Sequence, residues 1–157
     1  MSKESSTVGV ELHIATAEDK VVIRSLLAEV NLPTESVDTG TTTFYIGMED
    51  HSVVGVAGFE FYGKDALLRS VAVPPKVQKR GYGDRITERM ISTAKSRGIE
   101  RIVLLTETAE RFFARMGFAT IDRASIKNDA MKRSSEFAYA CPSSATCMVL
   151  ELKRENP

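Results

Sequence analysis

Val71-Ala72-Val73-Pro74-Pro75-Lys76-Val77-Gln78-Lys79-Arg80-Gly81-Tyr82-Gly83 runs from an apolar strand, through a basic loop punctuated by glycine, into an amphipathic helix. A loop in that place offers unpaired backbone N–H groups at a helix N-terminus, where the helix dipole also favours an anion. Gly81 and Gly83 carry no Cβ, so a phosphate can approach the main chain closely. Lys76, Lys79, Arg80 and Arg85 add positive charge around the same turn. The physical reading is a cradle for a pyrophosphate. The plainer alternative is a strand-to-helix turn whose basic residues are merely solvated.

Two familiar phosphate loops are excluded by spacing. No Lys-Ser or Lys-Thr follows Gly83, so the segment is not a P-loop. Ile86 stands where a dinucleotide fingerprint needs its third glycine.

Working outward, the pattern around the loop alternates strands and helices. Val8, Val10, Leu12 and Ile14 recur at period two, the mark of a half-buried strand. Thr16 and Asp19 form a capping-box pair ahead of a helix with an apolar stripe at Val22, Ile23, Leu26, Leu27 and Val30. Asn31-Leu32-Pro33 closes it, and a polar loop follows to residue 41. Strands are expected at 42–48 and 53–61 around a Glu49–Ser52 hairpin loop, then at 66–73 after a turn at Gly63.

The helix after the glycine loop directs Ile86, Met90, Ile91 and Ala94 inward and stops at Gly98. Ile102-Val103-Leu104-Leu105 reads as a strand covered on both faces. A short helix at 108–116 ends at Gly117, strands are expected at 118–122 and 145–152, and 128–140 has helical composition. The result is an α/β chain of about seven strands, best packed as one mixed sheet with helices on both faces.

Composition narrows the function. The chain has 157 residues, 43% hydrophobic and 27% charged, which suits a single domain over 8–157 behind a disordered tail at 1–7. Lys plus Arg balance Asp plus Glu at 21 each, which speaks against general affinity for nucleic acid. No apolar stretch is long enough to span a bilayer, and the polar start lacks the apolar core of a signal peptide. The expected location is the cytoplasm, with no membrane partner and with both cysteines reduced.

Gln78-x-x-Gly81-x-Gly83 behind a Val-x-Val-Pro strand resembles the acyl-CoA loop of the GCN5-related N-acetyltransferases. The resemblance covers most of the chain and is strongest from Leu67 to Phe118. Downstream, Thr106–Phe118 is similar to the family's second cofactor segment, commonly Asn-x-x-Ala-x-x-Phe-Tyr with Gly-Phe four residues after the Tyr. Ala109, Phe112, Gly117 and Phe118 match, Thr106 replaces the Asn and Phe113 replaces the Tyr. This variant looks like the catalytic domains of N-acetylglutamate synthases and like small acetyltransferases associated with arsenic resistance. The Leu67-Leu68-Arg69-Ser70 strand and Cys141–Cys147 segment look nearer to the latter.

The resemblance implies the acyltransferase fold, acetyl-CoA as cosubstrate, no metal, and a small amine acceptor. It implies that Val71 and Val73 hold the pantetheine through their backbones, and that Ala72, Gln78, Lys79, Arg80, Gly81, Tyr82, Gly83, Thr106, Ala109 and Phe112 complete the cofactor site. It also puts Phe113 where many relatives carry a tyrosine that reprotonates the departing CoA thiolate. Phenylalanine cannot do this, so the thiolate leaves unprotonated or takes its proton elsewhere.

Acetyl transfer needs a neutral amine and an acceptor for its proton. Glu60 and Glu107 are the candidate bases; the alternative for each is a solvated surface carboxylate. Arg69 lies inside an apolar strand, two residues before Val71, and its fork suits an acceptor carboxylate, phosphinate or arsinate. A structural salt bridge would use arginine equally well. Cys141 and Cys147 have no recognised zinc spacing and read as small buried residues. The expected function is N-acetylation of an amino acid or an arsenic or phosphinic analogue. Acetylation of a protein or peptide, or acyl-CoA binding without catalysis, are the alternatives. A homodimer is compatible with the sequence.

Overall fold

The computed structural model describes residues 9–140 and 144–152. The tail at 1–7, Val8 and Cys141 lie outside them. In chain order the elements are β1 (Glu11–Ile14), α1 (Lys20–Glu29), β2 (Thr43–Glu49), β3 (Ser52–Tyr62), β4 (Asp65–Ala72) and α2 (Tyr82–Ser96). They continue with β5 (Arg101–Thr106), α3 (Glu110–Arg115), β6 (Ala119–Ile121), α4 (Asp129–Lys132) and β7 (Thr146–Glu151). The seven strands hydrogen-bond in the order β1-β2-β3-β4-β5-β7-β6. β4 and β5 are parallel, whereas β1–β2, β2–β3, β5–β7 and β6–β7 are antiparallel, so the sheet is mixed.

The chain forms two compact units. The first comprises the chain up to Phe59 together with Ser70–Met90; the second comprises Glu60–Arg69 and the chain from Ile91 onward.

In the first unit, β2 pairs with β1 from Glu11↔Met48 to Ile14↔Tyr45 and with β3 from Thr43↔Phe59. α1 buries Ile23, Leu26 and Leu27 against Phe44, Ile46, Val56 and Ala72. Its N-terminal pairing is as expected, with the Thr16 N–H donating to the Asp19 carboxylate at 2.8 Å, but it opens a single 3₁₀ turn at Ala17–Asp19 before the α-helix begins. Val22 is 42% exposed rather than buried, because it sits one position round from the stripe at 23, 26, 27 and 30. Ile14 is likewise exposed, at the last residue of the edge strand.

Helix α2 lies on the other face of β2, where two glycines face each other in register, Gly47 and Gly55. A Cβ at Gly55 would lie 2.4 Å from the Ile86 Cδ1 and 2.8 Å from the Ala72 carbonyl oxygen. The missing side chains let Ile86 seat directly on the sheet, which fixes how the start of α2 is carried.

In the second unit, β4 runs parallel to β5 from Asp65↔Arg101 to Leu67↔Val103, and β7 pairs with β5 over its whole length. Ile102–Leu105 are all buried, as their continuous apolar run requires. Leu67, Val103, Met131, Phe137 and Val149 share one apolar cluster. The expected helix at 128–140 is broken into α4 and a π-helical turn at Glu136–Ala140. Ser134 explains the break: its Oγ accepts the Phe137 N–H at 3.2 Å, so the side chain takes over a helical donor and restarts the chain. Asn128 caps α4 through the Met131 N–H and donates to the Tyr62 carbonyl and the Asp65 carboxylate, at 2.9 and 3.0 Å.

Candidate active site

The glycine loop belongs to the first unit. One 3₁₀ turn at Pro75–Val77 leads out of β4, and the Gln78 Nε2 donates back to the Val73 carbonyl at 3.0 Å. Lys79 has φ 72° and Gly81 φ 82°. Left-handed residues thus stand on either side of Arg80, an alternation of the kind by which a backbone can gather N–H groups toward an anion. A Cβ at Gly81 would meet no protein atom within 4 Å, so the space beside it is open toward solvent. Lys76, Lys79 and Arg80 are exposed around the turn.

Tyr82 is tied down by Glu49 of β2, whose carboxylate accepts its hydroxyl and also faces Arg85 at 3.9 Å. Arg85 in turn lies over the Tyr82 ring, 5.5 Å from its centroid. The hydrogen bond to Glu49 raises the Tyr82 phenol above its ordinary pKa.

A different kind of site occupies the second unit. Glu60 of β3 and Arg69 of β4 are both buried, and the Arg69 Nη1 donates to the Glu60 Oε2 at 2.8 Å. The Arg69 Nη2 faces the Glu136 Oε1 at 3.3 Å, and Glu136 is also buried. Tyr62 donates its hydroxyl to the other Glu60 oxygen. Burial, and then the hydrogen bond and charge of Glu60, push the Tyr62 phenol well above its ordinary value of 10.0, with Ser134 acting in the opposite direction. The cluster thus joins two carboxylates, one guanidinium and a neutral phenol inside an apolar layer.

Just beyond Arg69, Ser70 has φ 60° within β4. Two residues apart on a strand, Arg69 and Val71 would share a face if the backbone between them were extended; this left-handed residue interrupts it. Such a conformation costs a non-glycine residue about 1–3 kcal/mol and is found preferentially at functional sites.

The Thr106 Oγ1 accepts the Ala109 N–H at 3.0 Å and so shapes the turn into α3, in the place where the family commonly has asparagine. Phe112 is half-buried; Phe113 is buried, with ring centroids 4.9 Å from Phe112 and 5.6 Å from Phe118. Glu107 is exposed after the end of β5. Cys147 is buried in β7, and burial raises its thiol pKa.

Sequence reasoning singled out Glu60 and Arg69 separately, and the fold brings them together. It missed Tyr62, Ser134 and Glu136. Tyr62 stands two residues after Glu60, on the same strand face, and could have been found that way. Glu136 arrives from the far side of the sequence and carries no local signal. No group of three or more His, Cys, Asp or Glu spaced to hold a metal occurs among the described residues, nor does any helix long and apolar enough to cross a membrane.

Residues 40–120 match the acetyltransferase (GNAT) domain family, over just more than half of the chain. The chain belongs to this family. It is 34% identical over 92 residues to an amino-acid acetyltransferase of Mycobacterium tuberculosis, a match covering 56% of this chain and 52% of the relative. The amino-acid acetyltransferase of a Neisseria meningitidis strain is 28% identical over 88 residues, covering 55% of this chain and 20% of the relative. The chain therefore spans about half the length, or less, of the curated relatives it matches.

Among solved structures, N-acetylglutamate synthase of Neisseria gonorrhoeae, complexed with coenzyme A and N-acetyl-glutamate, superposes with a TM-score of 0.79 at 23% identity. That match covers 98% of this chain and 37% of the other. Tetrahymena GCN5 gives 0.75 at 17% identity, covering 93% of this chain and 98% of the other. These likenesses establish the acyltransferase fold.

Proposed function

We propose that this GNAT protein is an acetyl-CoA-dependent N-acetyltransferase whose acceptor is the amine of a free amino acid or a similar small carboxylate. The observation that carries the acceptor class is Arg69. It is a buried guanidinium already paired with carboxylates, in a strand whose next residue is backbone-strained. The amino-acid acetyltransferases among the relatives support the same class.

In this reading the Gln78–Gly83 loop receives the pyrophosphate on backbone N–H groups at the head of α2, with Lys79 and Arg80 supplying charge. The main chain of Val71, Ala72 and Val73 holds the pantetheine, and Thr106, Ala109 and Phe112 line the thioester end. Arg69 grips the acceptor carboxylate and so orients its amine; binding energy spent on that orientation is returned as rate. Glu60, held by Tyr62 and Arg69, orients the guanidinium. Glu107, exposed to water, accepts the ammonium proton directly or through solvent, so that the neutral amine attacks the thioester carbonyl. The tetrahedral adduct loses a second proton from its nitrogen to solvent, collapses to the amide and expels CoA as thiolate, Phe113 offering no proton.

The test is a screen of amino acids, their amides, and phosphinic and arsenic analogues for CoA release. Carboxylate-bearing amines are expected to turn over and their amides to fail. Arg69→Lys is expected to raise the acceptor KM about tenfold or more, at unchanged acetyl-CoA KM, because lysine loses the bidentate fork. Turnover only with peptides would favour a protein acetyltransferase. Tight acetyl-CoA binding with no CoA release from any amine would favour a non-catalytic acyl-CoA module, the reading that Phe113 itself supports.

A further inference from the structure

Two contacts hold the head of α2 on the sheet, one helical turn apart. Ile86 seats over Gly47 and Gly55, whose missing side chains admit it. Tyr82 lies four residues earlier and so on the same face of the helix. It donates its hydroxyl to Glu49, the last residue of β2 and 33 positions away in the chain. Arg85 lies over the Tyr82 ring and faces the same carboxylate at 3.9 Å. The segment ahead of β1 leaves room for that carboxylate: at Gly9, with φ 58°, any Cβ would overlap it. Glu49 is thus seated by Gly9, Tyr82 and Arg85 together.

The first turn of α2 is the part of the helix that this arrangement controls. The Arg85 N–H donates to the Gly81 carbonyl at 3.2 Å. In an α-helix the N–H groups ahead of such a bond have no intrahelical acceptor, so the turn that carries them is the one most prone to fray. Ile86 anchors α2 only from the second turn. The Tyr82 side chain anchors the first, because Tyr82 is the residue on which the helix begins.

We infer that Glu49 is a positioning residue for acetyl-CoA: through the Tyr82 hydroxyl it keeps the first turn of α2 formed, and with it the N–H groups that receive the pyrophosphate. The inference rests on the reading of the Gln78–Gly83 loop as the pyrophosphate site. It makes a prediction opposite in sign to simple Coulomb attraction. A carboxylate close to a bound anion repels it, so charge alone says that neutralising Glu49 tightens acetyl-CoA binding. Positioning says that removing the hydrogen-bond acceptor weakens binding, since a site formed in only a fraction of the molecules loses apparent affinity by that fraction.

The test measures acetyl-CoA affinity by calorimetry on the full chain, for wild type, Glu49→Ala, Glu49→Gln, Tyr82→Phe and the double variant Glu49→Ala/Tyr82→Phe. Thermal unfolding is run alongside, and affinities are compared well below each midpoint. Glu49→Ala is expected to weaken acetyl-CoA about tenfold. Glu49→Gln keeps an oxygen for the Tyr82 hydroxyl and should return to within about threefold of wild type, a rescue that charge does not explain. Tyr82→Phe retains the ring under Arg85 and should match Glu49→Ala. The double variant should be no weaker than either single one, because both remove one hydrogen bond.

If Glu49→Ala binds acetyl-CoA as tightly as wild type or tighter, Glu49 is merely a neighbour of the anion and the inference is wrong. Glu49→Gln as weak as Glu49→Ala would move the effect to the charge facing Arg85 and overturn the role given to the Tyr82 hydroxyl. Additive losses in the double variant would do the same. Should Glu49→Ala not fold, Tyr82→Phe decides alone, and unchanged affinity there overturns the inference. Gly81→Val separates this failure from that of the loop reading. If Gly81→Val loses acetyl-CoA while Glu49→Ala and Tyr82→Phe do not, the inference alone falls; if Gly81→Val binds as wild type does, both fall.

Discussion

The glycine loop and the buried charge cluster, the two features proposed to bind cofactor and acceptor, differ in what holds them. The loop is made of backbone. Its form depends on two left-handed residues, Lys79 and Gly81, and on a helix start, with basic side chains standing exposed around it. The cluster is made of side chains from β3, β4 and the π-helical turn, and its charges are buried. A backbone site tolerates most side-chain changes and fails when φ or Cβ is altered. A buried charge site tolerates almost none, since each group is another's partner.

The sharpest way to break that contrast is to remove the shared cation. Arg69→Met would take from the buried Glu60 and Glu136 a cation that both engage. Breaking a buried ion pair in this manner costs about 3–5 kcal/mol, a large part of a small domain's stability of roughly 5–15 kcal/mol. The variant is expected to be unfolded, or to have a strongly depressed midpoint in urea. A protein as stable as wild type would mean that the cluster is solvated and that its charges do not depend on each other.

Gly81→Val tests the other side. A Cβ there would meet no protein atom within 4 Å, but φ 82° is a conformation a β-branched residue avoids. The expected result is a folded protein, with stability lowered by about 1–3 kcal/mol from the strained turn. If the loop receives the pyrophosphate as proposed, its acetyl-CoA affinity should be reduced by about a hundredfold or more, read by calorimetry. Unchanged affinity in the folded variant would remove the loop from the cofactor site.

The same contrast explains what was legible beforehand. Backbone requirements leave a local trace: glycine at fixed intervals, a strand before and a helix after. Hence the loop, the helix α2 and the run at Ile102–Leu105 could be read in sequence. Side-chain clusters leave none when their members are far apart, and Glu136 is brought to Arg69 only by the packing of the last third of the chain. Ser134 also misleads locally, since its neighbours have helical composition while its hydroxyl breaks the helix. The bend at Ser70 is invisible for a further reason: serine has no intrinsic preference for φ 60°, so tertiary constraint imposes it.

A smaller effect comes from Tyr62, whose proton is retained in the folded state to higher pH than in the unfolded chain. Above a pH of about 10 the unfolded chain ionises first, so wild-type stability falls with rising pH. Below that pH the contribution is fully present. Tyr62→Phe should lose about 1–3 kcal/mol at neutral pH, the worth of a hydrogen bond to a charged group, and should show a shallower alkaline decline. Urea midpoints between pH 8 and 11 (on the order of the ordinary tyrosine range) would measure it. Parallel alkaline slopes in the two proteins would mean that Tyr62 is as free to ionise as in the unfolded chain.

Phe113→Tyr should have the smallest effect, and it separates architecture from chemistry. The ring is packed edge-on against Phe112 and Phe118 in a buried position, so a hydroxyl there needs a partner or costs about 1–3 kcal/mol. The variant should fold, with a modest drop in midpoint. A chain that expels CoA as thiolate has no step limited by an acid at this position. Restoring the phenol therefore should change kcat by less than about tenfold, well short of the 10²–10⁴ that a needed acid–base group contributes. Wild-type activity should rise with pH as the acceptor amine loses its proton, without a steep fall on the alkaline side while the protein remains folded. A kcat that collapses at high pH, with acceptor and acetyl-CoA KM unchanged, would reveal an essential acid elsewhere. A gain of a hundredfold in Phe113→Tyr would show that thiolate departure limits this enzyme and that the phenylalanine slows it.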